Sequence, residues 1–193
     1  NAGILSCFKD SVIVFQDCSP QDLELAKEFG IRPVALSENT GIQYGMKHVA
    51  EALQTEYVLH VENDCLLTQS GGEVIRQLQI ALDHLKAGKA DVYRFICGTE
   101  HRQNGDGPRK YIRFHGRASD VSLSVESLLR IGRRALRPRK SRRVCGNAVY
   151  VEDHPEELFP QYIHRQGPDH FVVDSEVINW INRSILYPRS RFL

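Results

Sequence analysis

The chain has 193 residues, of which 41% are hydrophobic and 25% are charged, and its formal net charge is +1 at pH 7. This length and composition are typical of one folded domain with a single hydrophobic core, and they exclude a disordered chain. The small net charge gives no overall attraction to nucleic acid, so we expect no nucleic-acid partner, and any basic surface must be local.

Short apolar runs alternate with helical patterns through the first half of the chain. This alternation is typical of an α/β fold whose central sheet, mostly parallel or mixed, is flanked by helices. Ser19 before Pro20 indicates a helix start, Gly30 indicates a helix stop, and Pro33 favours an edge position for the second strand. We expect strands over residues 11–16, 31–36, 56–61 and 91–96, and helices over residues 20–30, 42–53 and 73–86.

The second half of the chain is less regular. Residues 98–116 are rich in Gly, Arg, Asn and His, and this composition favours a long loop or hairpin of a functional type. Further on, the patterns predict a short helix over residues 121–131, a strand over residues 144–151 and a terminal helix over residues 174–182, which holds the only tryptophan.

The third predicted strand ends in the acidic segment Glu62-Asn63-Asp64. Because burying unpaired carboxylates is costly, these groups must face water or a cation. Two acidic side chains two residues apart point to the same side, and with Asn63 they offer the oxygen ligands that magnesium or manganese select. A solvated turn uses the same residue types, and that alternative stays open.

Three segments follow the predicted strands in order: residues 17–22, residues 39–48 and residues 62–64. In this order and spacing, residues 11–67 resemble the nucleotide-binding half of family-two-like GT-A glycosyltransferases. The resemblance implies a single GT-A-like, Rossmann-like domain over residues 1–193, with a nucleotide-sugar and metal-binding half over residues 1–97 and an acceptor-side half over residues 98–193.

The resemblance also implies a donor site. Asp17 and Ser19 would contact the nucleoside, and the chain would pass beneath the nucleotide at residues 39–41. Asn39 and, in the helix that follows, Lys47 are the further donor-binding residues that it implies.

A metal site is implied next to the donor. Asp64 would be the direct metal ligand, and Glu62 would assist through the metal, its water or the ribose. The family has Asp where this chain has Glu62, a departure that affects the ribose contact more than the metal contact. His170, or else His164, could add a ligand late in the chain; a surface or packing role is the alternative.

An inverting transferase also needs a carboxylate that takes the proton of the acceptor hydroxyl. The candidates are Asp153, Asp169, Asp174 and Glu176. Asp174 and Glu176 resemble the acidic pair before the helix that closes the family's acceptor side. Acids at a helix start are also ordinary partners of the helix dipole, so a structural role is the alternative.

The basic run over residues 133–143 has three interpretations. Its arginines could close over the donor diphosphate or hold an anionic acceptor, because their planar guanidinium groups bind phosphates with two hydrogen bonds. The run could bind nucleic acid, which is the weakest interpretation because no aromatic residues are interleaved. It could also be a solvated, mobile loop.

Taken together, the sequence predicts a metal-dependent glycosyltransferase that uses Mn²⁺ or Mg²⁺. It would move a sugar from a nucleotide diphosphate donor, with a UDP-sugar favoured, to a hydroxyl of a glycan or glycoprotein, with inversion. The alternatives are a retaining GT-A enzyme, a sugar-phosphate nucleotidyltransferase, and a non-catalytic module that binds a sugar or nucleotide.

The cellular location is inferred from the cysteines and the hydropathy. The five cysteines are widely spaced without a Cys-x-x-Cys pair, which favours reduced thiols and a cytoplasmic location. The Golgi lumen is the alternative if an anchor has been removed. No apolar stretch approaches the roughly 20 residues that cross a bilayer, so no membrane span is expected in this segment.

Overall fold

The protein is an α/β chain, as the sequence predicted. The computed structural model describes residues 4–62, 69–95, 106–120, 124–168, 170–178 and 184–193. The chain divides into two compact units, the first formed by Asn1–Ile96 with Asn182–Leu193 and the second by Cys97–Ile181. Whether a single GT-A-like domain describes the chain stays a prediction.

The described strands are short, and seven described α-helices separate them. The strands are β1 (Val12–Phe15), β2 (Arg32–Ala35), β3 (Tyr57–His60), β4 (Tyr93–Arg94), β5 (Ile163–Arg165), β6 (Phe171–Val173) and β7 (Ile185–Pro188). The α-helices are α1 (Pro20–Glu28), α2 (Ile42–Ala52), α3 (Gly71–Lys86), α4 (Asp106–His115), α5 (Val125–Leu136), α6 (Pro138–Arg143) and α7 (Pro155–Leu158). Single 3₁₀ segments lie at Ile4–Cys7, Cys145–Tyr150, Ser175–Val177 and Arg189–Arg191.

The predicted elements of the first unit are confirmed from β1 to β4, and local signals account for them. Ser19 accepts a hydrogen bond from the backbone N–H of Asp22, whose carboxylate accepts one in return from the backbone N–H of Ser19, and Pro20 opens α1. Ser70 caps α3 through the backbone N–H of Glu73. These caps begin the helices where the sequence indicated, within two residues.

The prediction of one central sheet, mostly parallel or mixed, is met only in part, because the described strands form three small sheets. Strands β1 and β2 pair in parallel, with Val12 opposite Arg32. In contrast, β7 lies between β3 and β4 and is antiparallel to both, and β5 pairs with β6 as an antiparallel hairpin. Strand β7 was not foreseen, and among the described strands it takes the position between β3 and β4.

Strand β7 carries the core of the first unit on both of its faces. Ile185 and Tyr187 pack with Met46 and Leu53 at helix α2, whereas Leu186 packs with Ala81 and Leu85 of helix α3. Successive residues of a strand point to opposite faces, so α2 and α3 cover the two sides of the β3-β7-β4 sheet. The end of the chain therefore completes the first unit.

The second unit departs further from the sequence predictions. Residues 106–115 form helix α4 and not a loop, because Tyr111 and Phe114 are buried at helical spacing. The strand expected over residues 144–151 is a 3₁₀ segment, since five of its six residues from Cys145 to Tyr150 are buried and no alternation remains. Of the helix expected over residues 174–182, the structure shows one 3₁₀ turn at Ser175–Val177 followed by an extended Ile178, and residues 179–182 lie outside the described residues.

The remaining difference concerns helices α5 and α6. The short helix expected over residues 121–131 begins at Val125 and runs on to Leu136, and most of the basic run lies in α5 and α6 and not in a mobile loop. Tyr111, Ala148 and Ile163 form the buried core of this unit. Among the helices that the structure describes, none has the length and apolar character that crossing a bilayer requires.

Candidate functional site

Asp17 stands at the carboxyl end of β1, where an open α/β sheet binds ligands. It has a φ of 56°, the left-handed conformation that aspartate tolerates better than most residues. The next residue fixes this turn, because the Cys18 N–H donates to the Leu36 carbonyl at 2.9 Å. The Asp17 side chain is exposed, and no other described residue forms a hydrogen bond or ion pair with it.

The turn after β2 lies beside the end of β1, since parallel strands end at the same edge. Thr40 Oγ1 donates to Gln16 Oε1 at 3.1 Å, which ties the turn to β1. Asn39 Oδ1 accepts from the Gly41 N–H at 2.9 Å. Gly41 has a φ of 80°, which a residue with a side chain would rarely adopt. Asp17 and Asn39 are therefore brought to one edge of the sheet.

Helix α2 begins at this edge without a side-chain cap. Its N-cap residue is Gly41, and no side chain accepts from its first turn. The two other long helices of the unit, α1 and α3, are capped by Ser19 and Ser70. Uncapped N–H groups at a helix start attract anions, and phosphates are their common ligands.

Two further donor-site candidates already have partners. Ser19 Oγ donates to Asp22 Oδ2 at 2.8 Å and caps α1, so a nucleoside would have to compete with this bond. The same hydrogen bonds lower the pKa of Asp22. Lys47 pairs with Glu51 at 3.6 Å, and because both side chains are about half exposed, a ligand can displace this weak ion pair.

The metal-site candidates of the first unit are only partly described. Glu62 is half-buried two residues after β3, and its carboxylate forms no hydrogen bond or ion pair with another described residue. A carboxylate in this position fits the oxygen ligands of Mn²⁺ or Mg²⁺. Asn63 and Asp64 lie outside the described residues. Within the described ranges no three acidic, histidine or cysteine side chains are grouped as metal ligands.

The candidate bases of the second unit differ in how far they are engaged. Asp174 accepts from the Glu176 N–H at 2.8 Å and so caps its own turn. Glu176 pairs with Arg142 at 3.1 Å, with both side chains more than half exposed. Asp153 is exposed, and its carboxylate has no partner in the described part of the chain, whereas its backbone carbonyl accepts from Arg165 at 2.7 Å.

His170 and Asp174 flank the three-residue strand β6 at its two ends. At about 3.3 Å per residue, their Cα atoms are roughly 13 Å apart, too far to ligate one ion together. The His170 ring packs directly over Gly167, where a Cβ would collide with it. Asp169 lies outside the described residues, and His164 is exposed on β5.

A buried polar cluster in the second unit was not foreseen. Tyr111 is 2% exposed, and its hydroxyl donates to the Glu152 carboxylate at 3.0 Å. The same carboxylate accepts from the Ala118 N–H at 3.1 Å. Glu152 is 41 residues from Tyr111, so only the helical spacing of Tyr111 and His115 was visible in the sequence.

His115 forms the other half of this cluster. Its Nε2 lies 3.1 Å from the Ser141 carbonyl and 3.7 Å from Cys145 Sγ. This resembles a nucleophile beside a base, but burial raises the pKa of the Cys145 thiol to about 11 and lowers the pKa of His115. The thiol is therefore protonated near neutral pH, and the cluster is structural.

Known proteins offer no further guide to the chemistry of these residues. Comparison of the chain with protein-family models, with curated proteins and with solved structures gave no match.

Proposed function

We propose that the chain is a metal-dependent glycosyltransferase that moves a sugar from a nucleotide diphosphate donor, in the first place a UDP-sugar, to a hydroxyl of a glycan or glycoprotein. The observation that carries the proposal is the shared edge of β1 and β2. There an exposed Asp17 faces water beside the Asn39 turn and the uncapped start of α2. These are groups that suit a nucleoside and its phosphates.

Different groups at this edge would bind different parts of the donor. The Asp17 carboxylate accepts hydrogen bonds, which the ribose hydroxyls or base N–H groups of a nucleotide donate. The free N–H groups at the start of α2 face the negative charge of phosphates, and the helix dipole favours the same charge. Lys47, released from Glu51, adds a cation on the same helix.

A divalent cation would be held by Glu62 and Asp64, which supply carboxylate oxygens. When bound, the cation neutralises the charge that develops on the leaving diphosphate. Glu62 supports this assignment because its carboxylate is unengaged among the described residues. Asp153, Asp174 and Glu176 remain the candidates for the base that takes the acceptor proton, and inversion depends on one of them.

Thermal-shift titration with UDP and with GDP, each with and without Mn²⁺, tests the proposal. A donor site stabilises the fold only when nucleotide and metal are both present, by about 2.7 kcal/mol at a ligand concentration of 100 Kd. Asp17→Asn should weaken this response, and the exposed Asp83→Asn, on α3, is the matched control. Identical responses with and without metal would contradict the proposal.

Two of the alternatives, the nucleotidyltransferase and the binding module, differ from a glycosyltransferase in their products. A nucleotidyltransferase forms pyrophosphate from a sugar phosphate and a nucleoside triphosphate, whereas a glycosyltransferase releases UDP or GDP. A binding module responds in the titration without releasing either. Product analysis by anion-exchange chromatography therefore separates all three functions.

A further inference from the structure

Helix α5 turns its apolar face outwards. None of its residues is buried, and Val125, Leu128, Leu129 and Leu136 are 75%, 64%, 52% and 84% exposed. Their spacing places them on one side of the helix, together with Gly132. A Cβ at Gly132 would meet open space. We call these five residues the α5 stripe.

Arginines hold the opposite face of α5 against the body of the second unit. Arg130 has a side chain only 13% exposed, which binds Asp120 at 2.9 Å and packs over Gly116. Arg133 and Arg134 donate to carbonyl oxygens in the last turn of α4, at 3.2 and 3.1 Å. Such cations stabilise a helix end. The helix cannot roll over to bury the stripe without breaking these bonds.

Exposed basic residues follow Leu136 along the chain, next to the α5 stripe. Residues 125–143 contain eight arginines and lysines and one acid, Glu126. Arg139 and Lys140 are exposed on α6, and neither is engaged in an ion pair with any residue that the structure describes. An apolar stripe is thus followed directly by a cationic patch, although the whole chain carries a net charge of only +1.

We propose that α5 and α6 bind an anionic lipid surface, with the α5 stripe in the interface and the α6 cations at the headgroups. A bilayer containing anionic lipids offers an apolar layer beside a layer of negative charge, which matches both parts of the surface. Nucleic acid would leave the leucines in water. A second copy on the same surface would bring like charges together. The inference does not depend on the donor site.

Vesicle flotation tests this surface. The chain should bind vesicles of phosphatidylcholine with phosphatidylserine, should not bind phosphatidylcholine alone, and should be released by salt. Leu128→Ser and Leu129→Ser should each reduce the partition coefficient roughly tenfold. Arg139→Gln and Lys140→Gln should each reduce it about fivefold. Leu158→Ser, a 43% exposed leucine on α7, is the matched control and should bind as the wild type does.

Three results would overturn the inference. The first is equal vesicle binding by the wild type and the leucine variants, with unchanged melting temperatures showing that both are folded. The second is a dimer in light scattering, without lipid, that the leucine variants convert to a monomer. The third is preferred binding to an oligonucleotide that the charge variants abolish and the leucine variants leave intact.

Discussion

The candidate-site acids of the first unit and the polar cluster of the second unit differ in whether the protein itself supplies their hydrogen-bond partners. In the first unit, the acids after β1 and β3, Asp17 and Glu62, bond to no other described residue. In the second unit, the buried Tyr111 donates a hydrogen bond to Glu152, which is half-buried. An unengaged acid is available to a ligand, whereas a buried and satisfied polar pair contributes to stability. Binding of the donor and the metal is therefore expected in the first unit, whereas the second unit holds a structural polar cluster beside the candidate bases.

Removing the carboxylate that Tyr111 and Ala118 share should lower the free energy of unfolding strongly. Glu152→Ala leaves the buried Tyr111 hydroxyl and the Ala118 N–H without their partner, and should cost about 2–3 kcal/mol of unfolding free energy. Urea unfolding measures the loss. Glu157→Ala, at an exposed position on α7, should change stability by less than about 0.5 kcal/mol. Similar small losses in both variants would show that the cluster is not structural.

Two helical glycines, Gly107 and Gly132, differ in the space around them, so alanine should have opposite effects on stability at the two positions. A Cβ at Gly107 would lie 2.8 Å from Oδ1 of Asn147, which is fully buried, so Gly107→Ala should destabilise the fold by about 1–3 kcal/mol. Gly132→Ala on the open α5 stripe should stabilise it by about 0.5–1 kcal/mol, because alanine favours the helix. Opposite signs in thermal unfolding are expected, and the same sign for both would contradict the packing described.

Substitution of Ser19 should mainly affect stability, whereas substitution of Asp17, two residues earlier, should mainly affect nucleotide binding. Ser19→Ala removes the cap of α1 and should cost about 1 kcal/mol, while nucleotide binding changes less. Asp17→Asn should weaken UDP binding and leave the unfolding free energy nearly unchanged, because asparagine also tolerates the positive φ of this position and the Asp17 side chain has no partner among the described residues. Calorimetric titration beside urea unfolding distinguishes them. Equal loss of UDP affinity in both variants would indicate that Ser19 also contacts the donor.

The smallest expected effect is the pH response of His115. Burial lowers its folded-state pKa below the unfolded value of 6.5, so the unfolded chain takes up the proton first as the pH falls. Stability should therefore decline below about pH 6.5 until the folded pKa is reached. His60 in the first unit responds with the same sign, since burial lowers its pKa too. His115→Gln should flatten part of this slope; an unchanged slope would mean that His115 does not contribute.

Local signals explain why much of the first unit was predictable. Ser19 and Pro20 mark the start of α1, and Gly30 lies two residues after its last residue, Glu28. Strand β7 was missed because its partner, β3, is more than 120 residues earlier, as the pairing of Tyr57 with Pro188 shows. No local pattern specifies such a pairing, and tertiary context decides it.

The second unit was less predictable because its helices have unusual compositions. Helix α4 lies in a segment whose Gly, Arg, Asn and His content favoured a loop, and its Pro108 is tolerated because it lies in the first turn of the helix. Of the candidate site, Asp17 was implied by the resemblance to the GT-A family, and in the structure it is an exposed acid after β1. The uncapped start of α2 was not foreseen from the sequence; in the structure Asn39 accepts from the Gly41 N–H and not from the first turn of the helix.

The rate of donor hydrolysis tests whether the acidic segment after β3 supports metal-dependent sugar transfer. The purified chain is incubated with UDP-sugars and Mn²⁺, and release of UDP is compared for the wild type, Asp64→Ala and the control Asp83→Asn. We expect hydrolysis that requires metal, falls by about a hundredfold or more in Asp64→Ala and is unchanged in the control. Wild-type rates in Asp64→Ala would remove the acidic segment after β3 from the mechanism, and the assignment as a glycosyltransferase with it.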